Sequence, residues 1–82
     1  MMDYSVKGIL TVLQDLQRIH FGRLSMYVDV IMDADKNPVV SCCLFDGSGE
    51  PHTISFYSFD ADSARKGRLE DVLVLIKSII DG

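Results

Sequence analysis

The residues of this chain with chemistry within reach are two acidic stretches, a pair of adjacent cysteines and two histidines. Asp33-Ala34-Asp35-Lys36-Asn37 spaces oxygen donors at alternate positions, as a calcium loop does. The helix-loop-helix calcium site also needs Gly at loop position six and Glu at position twelve. Pro38 and Leu44 stand there, and the flanks read as strands. Asp46-Gly47-Ser48-Gly49-Glu50 departs from the pattern in the same way, with Tyr57 at its twelfth position. Gly47 and Gly49 do not make a phosphate loop either, because such loops lead from a strand into a helix N-terminus. Both stretches read as hairpin turns. Cys42 and Cys43 are neighbours in a strand, so their side chains point to opposite faces; they suit neither a disulfide nor a shared zinc site. Nucleophilic catalysis needs a Ser or Cys beside an oriented base, and nothing in the sequence around His20 or His52 supplies one. The expectation is no catalytic residue, no metal and no cofactor.

Those residues hang on three runs of alternating character. Leu24 to Met32, Val39 to Phe45 and His52 to Phe59 read as strands, joined by the two polar turns into an antiparallel meander. Pairing Met32 with Val39 and Phe45 with His52 keeps one face almost wholly apolar, through the rows Val28–Cys43–Ile54 and Val30–Ser41–Phe56. The same register puts Tyr27–Leu44–Thr53, Asp29–Cys42–Ser55 and Ile31–Val40–Tyr57 on the other face. Cys43 is then a core residue, and Cys42 lies opposite.

A helix-like segment flanks the meander on each side. Ser5 is the expected N-cap of the first, whose stripe is Val6, Ile9, Leu10, Leu13 and Leu16, widened by Val12 and Ile19. Gly8 points to close packing against a neighbour, since glycine costs about 1 kcal/mol of helix propensity against Ala. His20 falls on the stripe near the helix end. The pattern gives the second helix from about Leu69 on; Ser63 to Arg68 reads as either its first turn or a loop, with Gly67 counting against a long helix. Its stripe is Leu69, Val72, Leu73, Ile76, Ile79 and Ile80, with Val74 pointing away. The order α-β-β-β-α predicts an α+β fold, a two-layer sandwich with a three-stranded antiparallel meander, spanning residues 1–82 as one domain.

The chain has 82 residues, a net charge of −4 and a hydrophobic fraction of 48%. That balance argues against disorder and against non-specific binding to nucleic acid or membranes. No apolar run approaches the roughly 18 residues of a membrane helix, and Met1-Met2-Asp3-Tyr4-Ser5 lacks the basic and apolar regions of a signal peptide. A cytoplasmic protein is expected.

Two functional readings follow. In the first, both helices cover the apolar face, leaving Tyr27, Ile31, Val40, Leu44, Tyr57 and Phe59 on the open one. Burial is worth about 1.5–3 kcal/mol per large side chain, so exposing six would forgo roughly 9–18 kcal/mol, comparable with a whole domain's stability of about 5–15 kcal/mol. A face of that kind marks an interaction surface. The expected function is a small non-enzymatic interaction module, an adaptor or modulator of another protein, homodimeric through that face. The second reading starts from Arg65, Lys66 and Arg68 at the start of the last helix. The element order resembles that of the double-stranded RNA-binding domain, a family that concentrates basic residues there. The resemblance implies duplex binding through these three residues. It covers element order only: Gly67, Glu70 and Asp71 interrupt the family's run of lysines, and the chain is acidic, whereas phosphate binding draws on positive charge.

Overall fold

The computed structural model describes residues 3–82; Met1 and Met2, which open the segment read for a leader, lie outside the described residues. Helix α1 (Val6–Ile19) leads to strands β1 (Met26–Met32), β2 (Pro38–Phe45) and β3 (Pro51–Tyr57), and helix α2 (Asp62–Asp81) follows. The sheet is an antiparallel meander in the order β1-β2-β3. The molecule is α+β, and its shortest dimension, 19 Å, is the depth of one sheet and one layer of helices at roughly 10 Å each.

The register differs from the one expected from apolar patterning by one residue at each hairpin. Met32 faces Pro38 and Phe45 faces Pro51. The turns decide this. Asp33 N–H donates to the Asn37 carbonyl at 3.0 Å, Lys36 N–H donates to the Asp33 carbonyl, and Asp33 Oδ1 accepts from Asp35 and Asn37 N–H. The second turn repeats the arrangement with Asp46, Gly49 and Glu50. Each is a tight turn whose fourth residue is left-handed, Lys36 at φ 63° and Gly49 at φ 82°, the conformation that closes a three-residue hairpin loop. Asp at the first position supplies an acceptor for the turn's own amides. Pro38 and Pro51 sit at strand starts, where a missing N–H is tolerated.

A one-residue shift turns β2 over. Val40, Cys42 and Leu44 lie in the core and are fully buried, which corrects the expectation that Val40 and Leu44 stand on the open face and that Cys43 is the core cysteine. The rows beneath the helices are Met26–Leu44–His52, Val28–Cys42–Ile54 and Val30–Val40–Phe56. Ile9 and Leu13 of α1 and Leu69, Val72 and Ile76 of α2 complete the same core, so both helices cover one sheet face. They stop short of one corner: Val30 and Met32, expected in the core, are 48% and 62% exposed.

Ser5 caps α1 as expected, its Oγ accepting from Gly8 N–H. Gly8 is needed because a Cβ there would lie 2.2 Å from the Asp3 carbonyl oxygen; the neighbour is the N-terminal segment. Ile19 is exposed, not part of the buried stripe, and His20 ends the helix with its Nδ1 buried and without a hydrogen-bond partner among the described residues. Helix α2 begins at Asp62, so Ser63 to Arg68, open between turn and loop in the sequence, are helical, and no described side chain caps it. Arg65 holds that first stretch down, and its contacts outweigh the propensity cost of Gly67. Leu73, expected in the core stripe, is half-exposed in a groove shared with Leu16 and His20, while Val74 points outward as expected.

Candidate functional site

The sheet face turned away from the helices carries the rows Tyr27–Cys43–Thr53, Asp29–Ser41–Ser55 and Ile31–Val39–Tyr57, with Phe45 beyond the first of them. No described residue of either helix joins it in the core. Tyr27 is 62% exposed, Phe59 is 74% exposed and Ile31 is exposed, while Phe45 and Tyr57 are half-buried. Tyr27 meets Phe45 edge-on at 5.9 Å between ring centroids, and Tyr57 stacks on Phe59 at 4.9 Å. The polar row Asp29–Ser41–Ser55 separates these two aromatic ends. Of the six residues expected at an interface, Tyr27, Ile31, Tyr57 and Phe59 are thus brought to one side of the sheet. Val40 and Leu44 are not. Val39, Cys43 and Phe45 take the places assigned to them, and the signal that would have found them is the turn chemistry that sets register.

The basic cluster does not form an open cationic surface. Arg65 is only 6% exposed. Its Nε donates to the Tyr4 carbonyl at 2.6 Å, and Nη1 donates to the carbonyls of Tyr57 at 2.8 Å, Asp60 at 2.5 Å and Ser58 at 3.4 Å. Nη2 donates to the Asp62 carboxylate. All its nitrogens are engaged within the fold. Arg68 pairs with the Asp60 carboxylate, and its guanidinium lies over the Tyr57 ring at 5.8 Å. Lys66 lies over the Tyr4 ring at the same distance. The three side chains fasten the start of α2 to β3 and to the N-terminal segment.

One pairing escaped sequence reasoning. His52 Nε2 lies 2.8 Å from Asp46 Oδ2, across the mouth of the second hairpin. That hydrogen bond, with the amides of Glu50 and Ser48 on the other oxygen, holds the Asp46 carboxyl below its ordinary value. The pair borders a groove of about 390 Å³ with Ser78, Leu75 and Ile79. Hydrogen bonds from the histidine reach the aspartate but no described serine or cysteine. Asp46 is meanwhile committed to its turn amides, so the pair closes a hairpin. Burial pushes the Cys42 thiol up to about 11, with Cys43 adding to the shift. A thiol so raised is a poor nucleophile, whereas Cys43 lies on the far face and is half-buried. Among the described residues, no three His, Cys, Asp or Glu side chains gather as metal ligands, and no helix is long and apolar enough to cross a membrane. No family model matches the chain, nor does any curated protein or solved structure match it.

Proposed function

We propose that this chain is a small non-enzymatic interaction module, a cytoplasmic adaptor or modulator of another protein, which works as a homodimer through the exposed parts of its sheet. The observation that carries the reading is the sheet face turned away from the helices, where Tyr27, Ile31 and Phe59 stand open to water beside half-buried Phe45 and Tyr57 and buried Val39. Tyrosine supplies contact area together with a hydroxyl, and is enriched at protein interfaces for that reason. Exposed aromatic and aliphatic side chains of this kind support an interaction role more than a catalytic one. The basic cluster lends little to a duplex-binding role, since Arg65 and Arg68 already have partners within the chain.

Sedimentation velocity across a range of protein concentration tests the dimer, with Val74→Asp on the outer side of α2 as a neutral control. A mass of two chains that falls to one on dilution is expected. A wild type that stays monomeric throughout overturns the homodimer. Contact on the far face is read separately from the alkylation rate of Cys43, which any protein seated there slows.

A further inference from the structure

The two edges of the sheet are unequally guarded. Backbone groups along an antiparallel strand alternate between pointing to the partner strand and pointing away. Asp33 N–H bonds across to Asn37, and the Ser25 carbonyl accepts from Phe45 N–H, so the odd residues of β1 bond to β2. Met26, Val28, Val30 and Met32 therefore aim their N–H and C=O groups at the free edge. The Met26 carbonyl is covered by the Gln17 side-chain amide at 2.8 Å. Nothing described covers Val28, Val30 or Met32, and the side chains of Val30, Ile31 and Met32 are exposed on both sides of the strand. At the other edge, Pro51 has no N–H to offer, Arg65 takes the Tyr57 carbonyl, and Arg68 and Asp71 border a groove with Thr53 and Ser55. Proteins guard edge strands with proline, lysine, bulges or covering segments. β3 has such guards; over Val28 to Met32, β1 has only the charge of Asp29.

We propose that β1 is the strand by which two copies of this chain join, antiparallel and centred on Val30, giving one continuous sheet twice as wide. The inference rests on the homodimer reading and specifies where the second copy sits. Three observations select the register. Only the even residues of β1 aim their backbone groups at the free edge, so even must pair with even, which also leaves both helix layers on the same side. A centre at Asp29 would set two carboxylates directly opposite each other, which is destabilising. A centre at Val28 would require the Met26 carbonyl that Gln17 already occupies. A centre at Val30 avoids both: Val30 exchanges hydrogen bonds with its own copy, Val28 exchanges them with Met32, and Asp29 faces Ile31. On the helix side this closes Val28, Val30 and Met32 of both copies into one apolar strip, covering the corner that α1 and α2 leave open. The acidic turn Asp33–Asp35 comes to the end of the second strand, where Arg23 is exposed and in no ion pair among the described residues. The far faces of the two copies then lie side by side as one broader contact surface.

The test compares the wild type with Val30→Pro, Val30→Lys and Thr53→Lys by sedimentation, circular dichroism and amide hydrogen exchange. Proline removes the central N–H, lysine places a guard on the edge, and Thr53→Lys makes the same change on β3. Wild type and Thr53→Lys should be dimeric, with slow exchange at the amides of Val28, Val30 and Met32. Both Val30 variants should weaken the dimer by at least about tenfold while keeping the wild-type spectrum. If the proline variant fails to fold, the lysine variant decides. A dimer that persists in folded Val30→Lys, or fast exchange at those amides, overturns the edge while leaving the homodimer standing. A monomeric wild type overturns both.

Discussion

Replacing Arg65 with Met keeps the length and apolar stem of the side chain but removes its charge and every donor. Three main-chain carbonyls within 2.5–2.8 Å of the guanidinium, those of Tyr4, Tyr57 and Asp60, would lose their partner, and Asp62 would lose its cation. A hydrogen bond to a charged group contributes about 1.5–3 kcal/mol. The carbonyls lie near the surface and water can reach some of them, so the contributions do not simply add. The Asp62 side chain is 73% exposed, so its ion pair adds little, and losing two of the carbonyl bonds at the lower figure costs about 3 kcal/mol. At about 0.05–0.15 kcal/mol per residue, a chain this size has roughly 4–12 kcal/mol in all. The substitution should therefore lower the melting temperature by upwards of about 12 °C. Arg65→Lys keeps the charge without the fork and should fall between. Lys66→Met, which loses only an exposed cation over Tyr4, should cost about 0.5 kcal/mol. Urea unfolding followed by circular dichroism measures all three. If Arg65→Met loses less than about 1 kcal/mol, the guanidinium does not hold α2 to the sheet.

Alkylation should distinguish the two cysteines: Cys43 labels in the native protein, whereas Cys42, buried and with its thiol raised to about 11, labels only at the rate of unfolding, and mass spectrometry of the peptides reads the order. The reverse order would restore the register expected from patterning alone. Asp46 titrates below its ordinary value of 3.8 in the folded state, so its stabilising effect is complete above that value and is lost as pH falls through the lower folded value. Melting curves from neutral pH down to about pH 2 should show a loss that Asp46→Asn removes. Gly67→Ala, in an exposed helix interior with nothing near the added methyl, should stabilise by up to about 1 kcal/mol. Gly8→Ala should destabilise instead, because its methyl meets the Asp3 backbone. Lys36→Gly should be stabilising by up to about 1 kcal/mol, since its left-handed backbone suits glycine, and thermal melts check all three. A chelator should leave the melting temperature unchanged, and a fall reversed by a divalent ion would contradict this.

Element order, the meander and the Ser5 cap were legible in the sequence because each rests on local rules: apolar periodicity, turn composition and a side-chain oxygen three residues before the amide it caps. The facing of β1 was legible as well, since Met26, Val28 and Tyr27, Asp29 differ in kind. β2 was not, because Val39-Val40-Ser41-Cys42-Cys43-Leu44-Phe45 is apolar in both phases. Either phase offered a plausible core, and patterning had nothing to choose between them. The closed turns at Asp33 and Asp46 chose, by setting Met32 against Pro38 and Phe45 against Pro51. The start of α2 was not legible for another reason. Its stabilising partners, the carbonyls of Tyr4, Tyr57 and Asp60, are main-chain atoms that carry no sequence signal. Arg65 therefore looked like one of three surface charges until the chain brought those carbonyls around it. Which strand edge stays open is likewise a tertiary outcome, since it depends on where Gln17 and Arg65 reach once the helices have docked.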